Sequence, residues 1–143
     1  MAEDREGGGL SWLASPLPLC GLALMALNDH WLRVAWPGPV TWKVSDVAVL
    51  LYLPALLCAL WSLAPRPWRP RALSRVALAG SCVCSGAALA AINLSPDLSH
   101  FYVRALELVF PGPFAYTPDP SDCLALLVLP VVAWDGVRHL GSR

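Results

Sequence analysis

The sequence predicts an all-α integral membrane protein, a four-helix bundle built from two tandem two-span repeats. Three observations predict this fold: a very apolar composition, long runs without charge, and a pattern shared by the two halves. Hydrophobic residues make up 57% of the 143 residues and charged residues 14%, whereas a soluble domain carries about 25% charge. This composition excludes a disordered chain, and the formal net charge of zero gives no basic surface for nucleic acid.

Four apolar stretches define the predicted spans. Three of them contain no charged residue and cover residues 10–28, 47–65 and 76–96. Each has about the 20 residues with which a helix crosses the hydrocarbon core of a bilayer. The fourth apolar stretch, residues 123–134, is shorter, but a helix over residues 121–140 would span. That helix would place Asp135 and Arg138 on one face, near the headgroups.

The predicted organisation is a flexible tail over residues 1–9 and one four-span domain over residues 10–143. Orientation follows from the excess of Lys and Arg on the cytoplasmic side. One side holds both termini and the basic residues Arg5, Arg66, Arg69, Arg71, Arg75, Arg138 and Arg143. The other side holds Arg33, Lys43 and Arg104. We therefore expect both termini in the cytoplasm.

The two halves of the chain share a pattern that indicates a tandem repeat over about residues 10–64 and 76–140. The first half contains Pro37-Gly38-Pro39, Thr41, Ser45-Asp46 and Leu53-Pro54. The second half contains Pro111-Gly112-Pro113, Thr117, Ser121-Asp122 and Leu129-Pro130. Because each unit has two spans, both units keep one orientation, which predicts a pseudo-twofold axis along the membrane normal.

Four residues of the shared pattern have predicted structural roles. Ser45 and Ser121 precede apolar runs, where a serine side chain can accept hydrogen bonds from the free N–H groups of a helix start. Pro54 and Pro130 lie inside the predicted helices and each removes one backbone hydrogen bond. The freed carbonyl needs a partner in lipid, so we expect both prolines to bend their helices and face the bundle interior.

The polar chemistry gathers on the outward side. Residues 97–110 have the spacing of an amphipathic helix, which can lie in the headgroup layer. The candidate functional residues are Asp29, His30, Asp46, His100 and Asp122. These carboxylates and imidazoles could provide acid and base for chemistry on a lipid headgroup, and His30 and His100 could bind a divalent metal. The alternative is that Asp46 and Asp122 cap helices while both histidines lie wet at the interface.

Two segments resemble a pattern in a family of uncharacterised bacterial multi-pass inner-membrane proteins. Residues 28–33 and 41–46, Asn-Asp-His-Trp-Leu-Arg and Thr-Trp-Lys-Val-Ser-Asp, resemble N-x-H-x-L-K and T-G-K-L-S-D. Residues 117–122, Thr-Pro-Asp-Pro-Ser-Asp, are similar to T-x-D-P-T-D. The resemblance covers most of the chain beyond residue 10 and departs at Trp42, where the pattern has glycine. It implies a bacterial envelope protein and no mechanism, because the family has no assigned activity.

Three functions remain open at this stage. The favoured one is a non-enzymatic accessory or interaction subunit of the cell envelope, with the lipid bilayer and a second copy or another membrane protein as partners. A small transporter or channel is less favoured, because the middle of every span lacks the ionisable residues typical of ion paths. A membrane enzyme acting on a lipid or envelope precursor at the outer face is the third. No cofactor is expected, since the chain contains no H-E-x-x-H and no C-x-x-C motif.

Overall fold

The computed structural model describes residues 8–63, 73–109 and 116–141, and these ranges are helical, without a strand. The α-helices are α1 (Gly8–Leu13), α2 (Pro16–Leu27), α3 (Arg33–Ala35), α4 (Pro39–Ser62), α5 (Leu73–Leu94), α6 (Pro96–Val109) and α7 (Leu129–Gly141). A π-helical turn over Asn28–Leu32 joins α2 to α3, and a 3₁₀ helix over Pro120–Val128 runs into α7. The all-α prediction is confirmed.

Some predicted features lie outside the described residues. These are most of the N-terminal tail, the basic residues Arg5, Arg66, Arg69, Arg71 and Arg143, and the second Pro-Gly-Pro motif at residues 111–113.

Three helices in the described ranges are long and apolar enough to cross a membrane. They are Pro39–Ser62, Arg75–Leu94 and Pro120–Leu140. The described parts of the apolar runs predicted at residues 47–65, 76–96 and 121–140 therefore lie mostly on such helices. The helix α4 begins earlier than its uncharged run and carries polar residues through its first two turns.

The first predicted span is not one continuous helix. Helix α1 ends at Leu13 and α2 begins at Pro16, and Ser15 between them has extended backbone with φ −78° and ψ 163°. The residue before a proline is sterically disfavoured in the helical conformation, and proline fits well only in the first turn of a helix. The expectation of a single helix over residues 10–28 is wrong, because Pro16 starts a new one.

The last span combines two helix types. The predicted α-helix over residues 121–140 is instead a 3₁₀ helix up to Val128, followed by α7. A 3₁₀ helix rises about 2.0 Å per residue and an α-helix about 1.5 Å. The Pro120–Leu140 helix therefore reaches about 36 Å, against about 32 Å as α-helix alone. This extension lets a short apolar stretch cover the thickness of a bilayer.

The two mid-span prolines have different environments. Pro54 lies inside α4 and is fully buried, as expected for a proline that faces the bundle interior. Pro130 is exposed, so the expectation that it faces the interior is wrong. The backbone N–H of Leu129 already donates to the carbonyl of Leu126, which is the acceptor four residues before Pro130. The proline therefore leaves no carbonyl without a partner and needs no neighbouring helix.

Helix α4 is at the centre of the bundle. It packs against α1, α2, α5, α7 and the 3₁₀ helix. One core cluster consists of Trp12, Ala55, Cys58, Leu78, Cys82 and Val132, and a second consists of Leu50, Leu89 and Ala125. Helix α2 approaches α4 closely at Gly21, where an added Cβ would lie 2.6 Å from the Cβ of Leu51 and 3.0 Å from the carbonyl oxygen of Ala48.

The two ends of the described chain are joined by a partly buried hydrogen bond. Trp12 is fully buried, and its Nε1–H donates to Oδ2 of Asp135 at 2.8 Å. The Nδ1 atom of His139 lies 3.5 Å from Oδ1 of the same carboxylate. Arg138 was expected beside Asp135, but its guanidinium lies over the ring of Trp134, 4.5 Å from the centroid. The short helix α1 is thus fixed to α7.

Candidate functional site

The first turns of α4 are held by the residues that precede them. Helix α4 begins at Pro39, and the N–H of Gly38 donates to Oγ1 of Thr41 at 3.3 Å. Ser45 therefore lies inside the helix, and the expectation that it caps the helix start is wrong. Its buried hydroxyl accepts from Nδ2 of Asn28 at 2.8 Å and donates to Oδ1 of Asp29 at 2.9 Å.

Asn28 joins the end of α2 to the start of α4. Its side chain is fully buried, and Nδ2 also donates to the carbonyl oxygen of Thr41 at 2.7 Å. The next residue, Asp29, is 3.4 Å from NH1 of Arg33. The π-helical turn starting at Asn28 thus directs an amide and a carboxylate towards one neighbouring helix.

Asn93 makes a corresponding connection in the second half. Its buried Oδ1 accepts from the hydroxyl of Tyr116 at 2.9 Å and from the backbone N–H of Asp119 at 3.2 Å. The ring of Tyr116 packs edge-on against Tyr102, with 5.7 Å between centroids. Burial, reinforced by the charge of Asp46, raises the pKa of Tyr116 to about 12. The Tyr116 hydroxyl therefore remains a hydrogen-bond donor at neutral pH.

Asp119, and not Ser121, caps the 3₁₀ helix. The Asp119 carboxylate accepts from the backbone N–H of Ser121 at 2.9 Å and from its hydroxyl at 2.7 Å. The expectation that Ser121 is the cap is wrong, because the helix begins one residue before it, at Pro120. These two hydrogen bonds from Ser121 lower the pKa of Asp119, with a further contribution from Lys43. Asp119 is therefore ionised at neutral pH.

Lys43 links the two halves of the chain. Its Nζ lies 2.7 Å from Oδ1 of Asp122 and 3.5 Å from Oδ2 of Asp119, and it also donates to the hydroxyl of Ser121. An ammonium group has three N–H donors, so the three acceptors account for all of them. The bonds join the second turn of α4 to the start of the 3₁₀ helix.

Asp46 and Asp122 meet at the same place. The Asp46 carboxyl lies within hydrogen-bonding reach of the Asp122 carboxyl, and Asp122 is only 9% exposed. Among the described residues, Asp46 has no hydrogen bond or ion pair besides this contact. Two ionised carboxylates at such a distance repel each other unless a proton or another cation lies near them.

A cleft of about 610 Å³ opens at this end of the bundle. Its lining includes Arg33, Trp42, Lys43, Asp46, Tyr116 and Asp122. The start of α4 forms one wall and the segment before the 3₁₀ helix forms the other. The cleft thus combines charged groups of both signs with two aromatic side chains.

The structure brings together three of the five candidate residues. Asp46 and Asp122 line the cleft, and Asp29 is paired with Arg33, which also lines it. The side chains of His30 and His100 are exposed and are not part of the cleft lining. Within the described ranges, no three His, Cys, Asp or Glu side chains are grouped as a metal ion would require.

Sequence reasoning did not select three residues that organise this end of the molecule. Lys43, Asp119 and Tyr116 are not among the candidate residues predicted from the sequence. One signal was present, since Lys43 is the only lysine in the chain. The partners of Lys43 are far away in sequence, so no local pattern identifies them.

Helix α6 confirms the expected helix over residues 97–110 to within a residue at either end. Its inner face is marked by the buried Ser99. Phe101 is 72% exposed and Leu108 is 88% exposed, on a face that no described helix covers. The remaining face carries the predicted polar stripe of Asp97, His100, Arg104 and Glu107.

The fold and this cleft define an all-helical protein whose apolar helices can cross a membrane and whose polar side chains meet at one end. Comparisons with protein-family models, curated proteins and solved structures found no match to the chain.

Proposed function

We propose that the protein is a multi-pass protein of the bacterial inner membrane that works as a non-enzymatic accessory or interaction subunit of the cell envelope. The observation that carries the proposal is that the outward polar side chains bond mainly to one another. Lys43 holds Asp119, Asp122 and Ser121, so these groups stabilise the junction between the two halves. The histidines that an enzyme would use are exposed and outside the cleft.

Four membrane segments are proposed, the first being α1 with α2. The outward faces of these two helices carry Leu10, Leu19 and Leu22, each about half exposed, which suits contact with lipid. The interruption of the helix at Ser15 is buried in the protein. Non-helical backbone is tolerated at membrane depth only when it is buried in this way or lines a cavity.

A tandem repeat is supported by the roles of corresponding residues. Asn28 and Asn93 both close the first apolar helix of their unit, and both bond to the segment that begins the next span. Asp46 and Asp122 occupy equivalent positions in the two units and contact each other. Contacts between equivalent residues are what a twofold axis produces.

We propose that both termini are cytoplasmic. The cleft lies at the end where α4 starts, and Arg75 and Arg138 lie at the opposite end, near the start of α5 and the end of α7. From their positions in the sequence, we expect seven of the basic residues on that opposite side, and the positive-inside rule would then place it in the cytoplasm. The motif resemblance supports a bacterial source, and nine arginines against one lysine suit a GC-rich genome.

The alternatives have less support. The apolar parts of the three candidate spans contain no Asp, Glu, Lys, Arg or His, whereas ion and proton paths usually contain one of these residues. An enzyme acting on a lipid precursor would need a base together with the other groups of a catalytic set. Asp122 is already bonded to Lys43, and Asp46, the other candidate carboxyl group in the cleft, has no histidine beside it in the cleft lining.

The proposal is tested by deleting the gene and analysing the membrane lipids by mass spectrometry. We expect an unchanged lipid composition, full complementation by His30→Ala and His100→Ala, and a stoichiometric membrane partner or second copy that co-purifies with the tagged chain. A lipid change that wild type restores and His30→Ala does not would establish an enzyme. Gradient-dependent uptake into liposomes that contain the purified protein would establish a transporter.

A further inference from the structure

The outward cleft contains one carboxylate that no cationic side chain contacts directly. Among its charged lining residues, Lys43 is bonded to Asp119 and Asp122, and Arg33 is paired with Asp29. Asp46 lies within hydrogen-bonding reach of the Asp122 carboxyl alone and has no cationic donor among the described residues. An incompletely hydrated carboxylate is costly unless it is paired, so the cleft favours a ligand that brings a positive charge with N–H donors.

The walls of the cleft favour an organic cation over a bare metal ion. Trp42 is 56% exposed and lines the cleft together with Tyr116. Aromatic faces attract ammonium groups that lie within about 6 Å of the ring. No group of three His, Cys, Asp or Glu side chains in the described ranges could complete a metal shell.

Arg33 adds a second binding element. It lines the same cleft and its charge acts on Asp46. Its contact with Asp29 is a single long one of 3.4 Å, and a guanidinium has five N–H donors. Donors therefore remain for an anionic oxygen, and arginine forks match phosphate oxygens well. A molecule that carries both an ammonium group and a phosphate would pair with Asp46 and with Arg33.

We propose that the cleft binds ethanolamine phosphate, with the ammonium group on Asp46 and the phosphate facing Arg33. This inference rests on the proposed membrane location of the cleft, which puts it at the depth of the lipid headgroups. Ethanolamine phosphate occurs as the headgroup of a phospholipid and as a free solute. The chemistry at Asp46 and Arg33 is the same for both sources.

The test uses the full chain in nanodiscs that contain equal amounts of phosphatidylethanolamine and phosphatidylcholine. Native mass spectrometry of the released protein counts the lipids that stay bound, and calorimetry in nanodiscs of phosphatidylcholine alone measures binding of free phosphoethanolamine. We expect at least tenfold preference for ethanolamine over choline, because a trimethylammonium group has no N–H with which to bond Asp46. Binding of the free compound assigns the site to a solute, and retention of the lipid alone assigns it to the membrane.

Asp46→Asn keeps the side-chain shape and removes the charge, so the preference for ethanolamine should disappear. Asp97→Asn, on the exposed polar stripe of α6, is the matched control and should retain it. Trp42→Leu, which leaves the carboxylates intact, should weaken binding several-fold and provides a second readout if Asp46→Asn does not fold. Equal retention of both lipids without binding of the free compound would overturn the proposal, as would an unchanged preference in Asp46→Asn. Failure of the chain to enter nanodiscs would instead refute the membrane proposal itself.

Discussion

Replacing Lys43 by methionine tests whether the two halves of the chain are joined by an ionic connection. Methionine keeps the length of the side chain and removes the bonds from Nζ to Asp122, Asp119 and Ser121. The carboxylate of Asp122 would then face the carboxyl of Asp46 without a cation. Lys43→Met should therefore destabilise the protein by loosening α4 from the 3₁₀ helix.

The expected size follows from how much of the pair is buried. The 2.7 Å contact joins a lysine side chain that is 36% exposed to an aspartate side chain that is 11% exposed. Exposed ion pairs contribute about 1 kcal/mol or less, and removing one partner of a fully buried pair costs about 3–5 kcal/mol. A pair with one buried partner lies between these limits, so Lys43→Met should lower the free energy of unfolding by clearly more than a surface substitution does, which is at most about 0.5 kcal/mol.

The assay is unfolding by SDS in mixed micelles, followed by circular dichroism, on wild type, Lys43→Met, Asp122→Asn and the double variant. Direct contact predicts that the sum of the two single losses exceeds the double loss by more than the margin of about 0.5 kcal/mol within which independent sites add. Arg104→Met, an exposed residue on α6, should stay within about 0.5 kcal/mol of wild type. Additivity of the two single effects within about 0.5 kcal/mol would refute the proposed connection.

Two further predictions use the same unfolding assay. Gly21→Ala should cost about 1–3 kcal/mol, because the new Cβ meets α4, whereas Gly80→Ala, which faces open space, should be neutral or slightly stabilising. Equal effects at both glycines would contradict the close packing of α2 on α4. Trp12→Phe should cost about 1–3 kcal/mol, since it leaves the Asp135 carboxylate without its buried donor, while Asp135→Asn keeps an acceptor oxygen and should cost less. A larger loss for Asp135→Asn than for Trp12→Phe would show that the unpaired carboxylate of Asp135 is not the source of the cost.

The sequence was sufficient to predict the long apolar helices. Their signal is local, because about 20 apolar residues without charge leave few alternatives to a helix that crosses a bilayer. The same reasoning failed at Ser15, where hydropathy stays high but Pro16 interrupts the helix. The start of α4 was placed too late for a related reason. Hydropathy marks where charge ends, while Pro39 and Thr41 determine where helical hydrogen bonding begins.

The candidate site was predictable only in part. The repeated Ser-Asp pattern selected Asp46 and Asp122 as residues to compare, and the structure places both in the lining of one cleft. The pattern did not predict that Lys43 holds Asp122, because the pairing depends on how α4 packs against the 3₁₀ helix. The histidines matched the pattern of a site by residue type alone, and both are exposed.

The central claim is that this chain crosses the membrane with both ends in the cytoplasm and the cleft outside. Reporter fusions in a bacterial host test it most directly, with green fluorescent protein or alkaline phosphatase attached after Arg143 or after Thr117. We expect fluorescence and no phosphatase activity at Arg143, the reverse at Thr117, and retention of all four fusions in carbonate-washed membranes. Phosphatase activity at Arg143, or release of the protein by carbonate, would contradict the account.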